Sequence, residues 1–412
     1  MADVRMRGFQ QRMEVSRFLA LIRERIVPAA CGDGEGEWVS LHQAGGRVLA
    51  EPVVSQVNVP AFVRSAMDGY AVRSEETFGA GPYNPLSFQV VGQVTPGREF
   101  AGQVGPGQAV RIMTGAPLPR GADAVLMAEA TKEADGVMTC TEAVAPRKNA
   151  GRIGEDIQQG ATVLPALRRL RPQDLGVLAS IGVGQVHVRK RPRVSLLITG
   201  NELLKPGEMP RGAMIVDSNS VMLEAFIARD GAEVAEVRHL EDDPEVIRDA
   251  LRHAPGDMLI TTGGTSVGVE DHAPLLIRQE GELLVHGVAM RPSAPTGMGW
   301  VQGRPVFLLP GNPVSCLAAY DFFVGLALRR LQGLREEWPY RKARLTLRDR
   351  ISSEIGRVDY ARVRVEDGQA VLLATSGASM LSSTTKADGF VAVDQDSEGF
   401  AAGETVDVWL YD

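Results

Sequence analysis

Apolar runs in this chain end five times in short strings rich in glycine and in oxygen-bearing side chains. They are Ser65-Ala66-Met67-Asp68-Gly69-Tyr70-Ala71-Val72, Met113-Thr114-Gly115-Ala116-Pro117, Gly154-Glu155-Asp156-Ile157, Gly263-Gly264-Thr265-Ser266-Val267-Gly268 and Leu309-Pro310-Gly311-Asn312-Pro313-Val314-Ser315. Glycine lets a backbone take positive φ and come close to a ligand. Asp, Glu, Thr and Ser in the same turns supply groups for a metal or an anion. One such loop says little, but five between Ser65 and Ser315 imply that distant segments build one polar site.

The runs differ in kind along the chain. Val15, Phe18, Leu19, Ile22 and Ile26 recur at helical spacing and predict a helix over Met13 to Ile26. From about Glu51 to Ala145, short β-branched runs alternate with Gly and Pro, and Asp135-Gly136 reads as a hairpin turn. From Arg193 the pattern is strand, then helix. Val194 to Ile198 is apolar except for Ser195, as in a strand buried on both faces. A helix over Val221 to Arg229 closes on Gly231, and another opens with Asp243 as cap and Pro244 at its first position. Strands at Ala232 to Val237, Met258 to Thr261 and Val306 to Leu309 precede a long helix from Pro313 to Leu331. This alternation predicts an open, mainly parallel α/β sheet, whose ligands bind at the carboxyl ends of the strands. Thr199-Gly200-Asn201-Glu202, the Gly263 loop and the Gly311 loop all fall at such ends. After Gly333 the helices stop, and alternating segments with a turn at Asp367-Gly368 predict a small all-β domain. The fold class is therefore α/β plus β, with a β-rich domain over 51–145, an α/β domain over 193–333 and a C-terminal β domain over 334–412.

At 412 residues the chain exceeds one ordinary hydrophobic core. Its net charge of −7, from 44 basic and 51 acidic residues, argues against general nucleic-acid binding. No apolar stretch reaches the ~20 residues of a membrane span, and the N-terminus lacks the apolar core of a secretory signal. Cys31, Cys140 and Cys316 share no CxxC spacing, so neither a disulfide framework nor a zinc site is indicated, and the cytoplasm is the simplest compartment.

The Gly263, Gly264, Thr265 and Ser266 string reads either as a tight turn or as a nest of amides facing a phosphate. Gly311, Asn312 and Ser315 open a helix whose first amides suit an anion, with simple capping by Asn312 as the competing reading. Asp68, Glu155, Asp156, Glu202, Asp242, Asp243 and Asp271 would repel an anionic substrate unless a hard cation such as Mg²⁺ joined them. Taken singly, each is also a common turn former or helix cap, Asp243 most clearly. Nothing in the sequence points to a Ser-His-Asp arrangement or to a nucleophilic cysteine in an electropositive setting.

As a set and in this order, these strings resemble the molybdopterin molybdenumtransferase (MoeA/gephyrin) family over nearly the whole chain. The resemblance implies an elongated four-domain homodimer in which 1–50 and 146–192 form an N-terminal linker domain and the α/β domain is similar to MogA/MoaB-type proteins. It implies insertion of molybdate into adenylylated molybdopterin, with release of AMP and the molybdenum cofactor and with Mg²⁺ or a similar divalent cation. Functional positions of the family fall on Asp68, Thr114, Asp156, Glu202, Asp242 and Asp271. Glu202, Asp242 and Asp271 would serve the metal. The first two, Asp68 and Thr114, reach the α/β domain of the other subunit. Molybdoenzymes or other cofactor-biosynthesis proteins would be its partners. The family's lysine-bearing string reads here Gly287-Val288-Ala289-Met290-Arg291-Pro292-Ser293-Ala294-Pro295. Arg291 and Pro295 would contact substrate, but Gly287 and Ala294 stand where lysines are common. Arg357 and Arg362, and the stretch Ser376 to Ser383, resemble the family's remaining anion contacts. Two rivals stay open: a non-catalytic molybdopterin-binding scaffold on the same fold, and a molybdopterin adenylyltransferase.

Overall fold

The computed structural model describes residues 12–28, 36–264 and 271–411. Cys31, Thr265 and Ser266 lie outside them. The chain divides into two compact units, one of Met1–Glu37, Gly46–Val48 and Arg189–Asp412, the other of Trp38–Gly45 and Leu49–Val188.

In the first unit a six-stranded sheet runs in the order Glu233–Leu240, Arg193–Thr199, Met258–Thr262, Arg304–Leu309, Gly297–Val301, Gly281–His286. The first four strands are parallel, and the last two join antiparallel. The Arg193–Thr199 strand is apolar on both faces because both are covered. Leu196 and Ile198 pack with Phe18, Ile22, Leu223, Ile227 and Phe323, and Leu197 packs with Ile247, Leu251 and Ile277 on the opposite face. The expected helices are present as Val15–Arg25, Asn219–Arg229 and Pro244–His253. Gly231, with φ +83°, follows the second of these as its sequence demands. The Gly281–Val301 hairpin was not legible. The long helix from Pro313 is an α-helix to Ala319, a π turn over Tyr320–Val324 and an α-helix again to Leu331.

Asp243 is a cap: its Oδ1 accepts from the amides of Glu245 at 2.8 Å and Val246 at 3.1 Å. Asp243→Ala should lower stability by about 1 kcal/mol, read from the urea midpoint, without altering ligand binding.

The C-terminal strands Arg341–Leu347, Val358–Glu366, Gln369–Ala374, Gly389–Val393 and Thr405–Leu410 close on one another, because Val358–Glu366 also pairs with Gly389–Val393. The resulting barrel is filled by Leu347, Val363, Val391, Val393, Val406 and Val408. Asp367 and Gly368, with φ of +48° and +76°, make its hairpin turn. Trp338 lies 4.8 Å from Phe322 of the π turn and 4.9 Å from Trp409 of the barrel, ring centre to ring centre.

The second unit holds another six-stranded sheet, ordered Ala124–Met127, Gly69–Val72, Gln108–Ile112, Leu86–Val94, Val137–Cys140, Thr131–Ala134. Asp135 and Gly136, both at positive φ, turn its last hairpin. A separate core of Leu49, Leu164, Leu170, Leu178 and Val188 lies beneath the Pro172–Ser180 helix.

Candidate functional site

In the second unit two of the glycine-rich strings meet, and the segment just ahead of a third pairs beside them. The Ser65 amide donates to Ala116 O at 2.9 Å, the Gly115 amide to Ser65 O at 2.8 Å, and the Gly151 amide to Arg64 O at 2.8 Å. Gly69 is required by close approach: a Cβ there would lie 1.8 Å from the Leu126 carbonyl oxygen. This geometry leaves Asp68 exposed on the preceding turn. Its Oδ1 accepts from the Thr114 amide at 2.6 Å and from the Thr114 hydroxyl at 2.9 Å. Those bonds, the amide's first, hold the carboxyl below its usual range. Both fall on Oδ1, so Oδ2 keeps its acceptor capacity. Asp156 is exposed, with its amide bonded to Val59 O, while Glu155 bonds the Arg152 amide at 2.9 Å.

In the first unit the carboxyl ends of adjacent parallel strands gather three loops. Gly263 sits at φ +80°, where a Cβ would come within 2.2 Å of Thr199 O, and a Cβ on Gly311 would lie 3.5 Å from Gly263 Cα. Asn201 and Asp242 exchange bonds, amide to Oδ2 at 3.0 Å and amide to Oδ1 at 3.2 Å, which ties the turn carrying Glu202 to the loop carrying Asp242. Glu202 is exposed, and Asp242 and Asp271 are half-buried. Gly264 follows Gly263 at φ +54°. Asn312 is exposed and precedes the Pro313–Ala319 helix without capping it through its side chain, so the capping reading does not describe it. Ser315 is buried, and its carbonyl accepts the Ser293 hydroxyl at 2.6 Å.

A further element of this region was not legible. Asp217 caps the Asn219–Arg229 helix through the amides of Asn219 and Ser220 and meets His239 Nε2 at 2.9 Å. Asn219 Nδ2 donates to Gly311 O at 2.8 Å. An Asp ahead of an apolar helix is an available start signal for this cap.

The Gly287–Pro295 string folds back on itself, with the Gly287 amide on Thr296 O and the Val288 amide on Ala294 O. Ala294 and Pro295 are half-buried. The Arg291 guanidinium donates to the Asp359 carboxylate. Arg362, on the neighbouring strand, is fully buried. It bonds Ser383 Oγ at 2.6 Å and Ser376 O, with no carboxylate beside it among the described residues. Burial lowers its pKa from the usual arginine value. The loop that receives it docks on the start of the Pro313–Ala319 helix, where the Val314 amide donates to Ala378 O at 2.9 Å.

Three family models match the chain: the MoeA N-terminal region (domain I and II) over residues 13–182, the probable molybdopterin binding domain over 195–330, and the MoeA C-terminal region (domain IV) over 344–411. Molybdopterin molybdenumtransferase 2 of Mycobacterium tuberculosis is 36% identical over 385 residues, covering 90% of this chain and 94% of the relative. Molybdopterin molybdenumtransferase of Haemophilus influenzae is 33% identical, with 90% and 93% covered. The crystal structure of the molybdopterin biosynthesis moeA protein from Pyrococcus horikoshii OT3 matches with a TM-score of 0.83 at 32% identity, covering 97% of this chain and all of that one.

Proposed function

Because the chain belongs to the MoeA family of molybdopterin molybdenumtransferases, we propose that it inserts molybdate into adenylylated molybdopterin and releases AMP and the molybdenum cofactor. The observation that carries this reading is the meeting of the Gly200, Gly263 and Gly311 turns at the carboxyl ends of parallel strands, with Glu202 and Asp242 beside them. Backbone amides there suit the phosphates of an adenylylated substrate. Catalysis is then mostly positioning and electrostatics, with no covalent intermediate on the protein.

The chemistry of the acidic residues fits a divalent cation. Mg²⁺ needs only one or two carboxylates besides substrate oxygens. Among the described residues Glu202, Asp242 and Asp271 are not gathered into a three-ligand group, so in this reading one or two of them would hold the ion together with substrate oxygens. When bound, it would offset the phosphate charge that these carboxylates otherwise repel. In this reading Gly263, Gly264, Thr265, Ser266, Gly311, Asn312 and Ser315 would serve the substrate, with Arg362 as the cation for the oxyanion. Arg291 and Pro295 border that oxyanion.

The active form in this reading is a homodimer, in which Asp68 and Thr114 of one subunit serve the α/β loops of the other. Phe62, Met67, Met113 and Ile153 lie exposed on the segments around Asp68 and Thr114, and burial of such a surface favours association. The compartment in this reading is the cytoplasm. Among the described residues, no helix is long and apolar enough to cross a membrane.

Ala294 leaves the oxyanion one cation short. Attraction between unit charges at ~4 Å is about 4 kcal/mol at an effective dielectric of 20, before desolvation and side-chain entropy. A net ~1 kcal/mol is about fivefold in affinity. Ala294→Lys should therefore lower the molybdate concentration giving half-maximal AMP release about fivefold, and the gain should shrink as salt rises. An unchanged molybdate dependence would place the oxyanion away from Pro295.

A further inference from the structure

We propose that Asp359 is a positioning residue for the oxyanion site, acting through Arg291. The inference rests on the molybdate reading above. Asp359 is fully buried on the Val358–Glu366 strand of the barrel. Its Oδ1 accepts from Arg357 Nε at 3.0 Å, and its Oδ2 from Ser353 Oγ at 2.9 Å and from the Arg291 guanidinium. Arg291 comes from the segment between the α/β strands Gly281–His286 and Gly297–Val301. The two-residue strand Met290–Arg291 leaves the α/β sheet and pairs in parallel with the barrel strand, Met290 opposite Val358 and Arg291 opposite Asp359. The Val358 amide completes that pairing on Ala289 O at 2.9 Å.

The side chain of Arg362 leaves the same barrel strand on the opposite face, since residues alternate along a strand. One strand therefore presents the buried carboxylate to the Gly287–Pro295 string and the carboxylate-free guanidinium to the Ser376–Ser383 loop. The string is fastened at its other end by the Ser293 hydroxyl on Ser315 O. Asp359 thus fixes the spacing between Ala294–Pro295 and Arg362. The charge of Arg291 is answered by Asp359, and Arg357 is answered by Asp359 and by Glu354 at 2.8 Å. Arg291 contributes geometry, and of Arg291, Arg357 and Arg362 only Arg362 is bonded to no carboxylate among the described residues.

A rival role for Arg291 predicts the opposite sign. Its Nε is buried without a partner, so it could itself grip the oxyanion, with Asp359 competing for the charge. Removing the carboxylate charge by Asp359→Asn would then tighten molybdate. If Asp359 positions the site, the same change loosens it.

The test is calorimetric titration of the purified full chain with sodium molybdate, beside molybdate-dependent AMP release, for the wild type, Asp359→Asn, Asp359→Glu, Arg291→Gln and the Asn/Gln double variant. Loss of a charge-assisted hydrogen bond predicts about tenfold weaker molybdate binding for Asp359→Asn and for Arg291→Gln. The change in turnover at saturating molybdate should be smaller. Asp359→Glu should recover part of the affinity, and the double variant should be no worse than Asp359→Asn, as for two residues acting through one contact. Circular dichroism identifies a variant that fails to fold, and Arg291→Gln, which leaves Asp359 on Arg357 and Ser353, then decides. Affinity that is unchanged or raised in the folded variants overturns the proposal, as does a wild type that binds no molybdate. A wild type that binds molybdate without releasing AMP refutes the functional reading, and the calorimetric series still decides the role of Asp359.

Discussion

Asp68→Asn should reduce turnover by roughly 10²-fold or more, the scale of removing a positioned charged group from an active site. The melting temperature should barely move. Asp68 is exposed, and its carboxylate's hydrogen bonds run only to Thr114 among the contacts described. Asparagine retains an oxygen to accept them, so the substitution removes charge at nearly constant shape. A drop in melting temperature like that of a core mutation would make Asp68 a structural residue. The same variant tests the shared site. Co-expressed with an Asp271→Asn chain, it forms heterodimers in which one of two composite sites carries neither substitution. Part of the activity absent from each homodimer should return. No recovery in an isolated heterodimer would mean that both residues belong to one subunit's site.

The largest expected stability loss lies elsewhere. Asp230 is fully buried and accepts from Arg329 Nη1 at 2.7 Å, Arg229 Nη2 at 2.8 Å and the Tyr320 hydroxyl at 3.1 Å. Arg329 is itself buried. Asp230→Ala leaves that guanidinium in the core beside a missing carboxylate, and breaking a buried pair in this way costs about 3–5 kcal/mol. The network extends to the barrel. Asp321 of the π turn accepts from the Tyr340 hydroxyl at 2.9 Å, and its backbone carbonyl accepts from Trp338 Nε1 at 3.0 Å. Gly325 leaves room for the ion pair, since a Cβ there would lie 2.9 Å from both Arg329 Nη1 and Asp230 Oδ2. Urea denaturation of Asp230→Ala should show the loss. A change below about 1 kcal/mol would mean that Arg229 and Arg329 find adequate partners without it.

What could be read in the sequence was local. A strand covered on both faces has no polar alternation to hide it, so Val194 to Ile198 was plain, as were the turns at Asp135-Gly136 and Asp367-Gly368, which need positive φ. Asp243-Pro244 declared its helix because cap and first position each favour one residue type. The Gly281–Val301 hairpin was hidden because Gly297 and Gly299 dilute its β pattern. The fold needs them there, since a Cβ at either would lie within 2.6 Å of a neighbouring strand's carbonyl oxygen. The π turn has no periodic mark of its own. At the site, Asp68 and Thr114 sit in separate strings, and their bond depends on the pairing of Gly69–Val72 with Gln108–Ile112. The arginine-bearing string showed that Gly287 and Ala294 carry no charge, but not that Arg291 is engaged by Asp359. That partner lies 68 residues further along the chain, and nothing local to either residue announces the meeting.

The central claim is that the loops at the carboxyl ends of the α/β strands act on adenylylated molybdopterin and molybdate together. The most direct measurement is AMP release from adenylylated molybdopterin by the purified chain, with and without molybdate, in the presence of Mg²⁺. The account predicts release that saturates with molybdate and is matched by the appearance of molybdenum cofactor. Adenylylation of molybdopterin by ATP, or intact substrate at saturating molybdate, would contradict it.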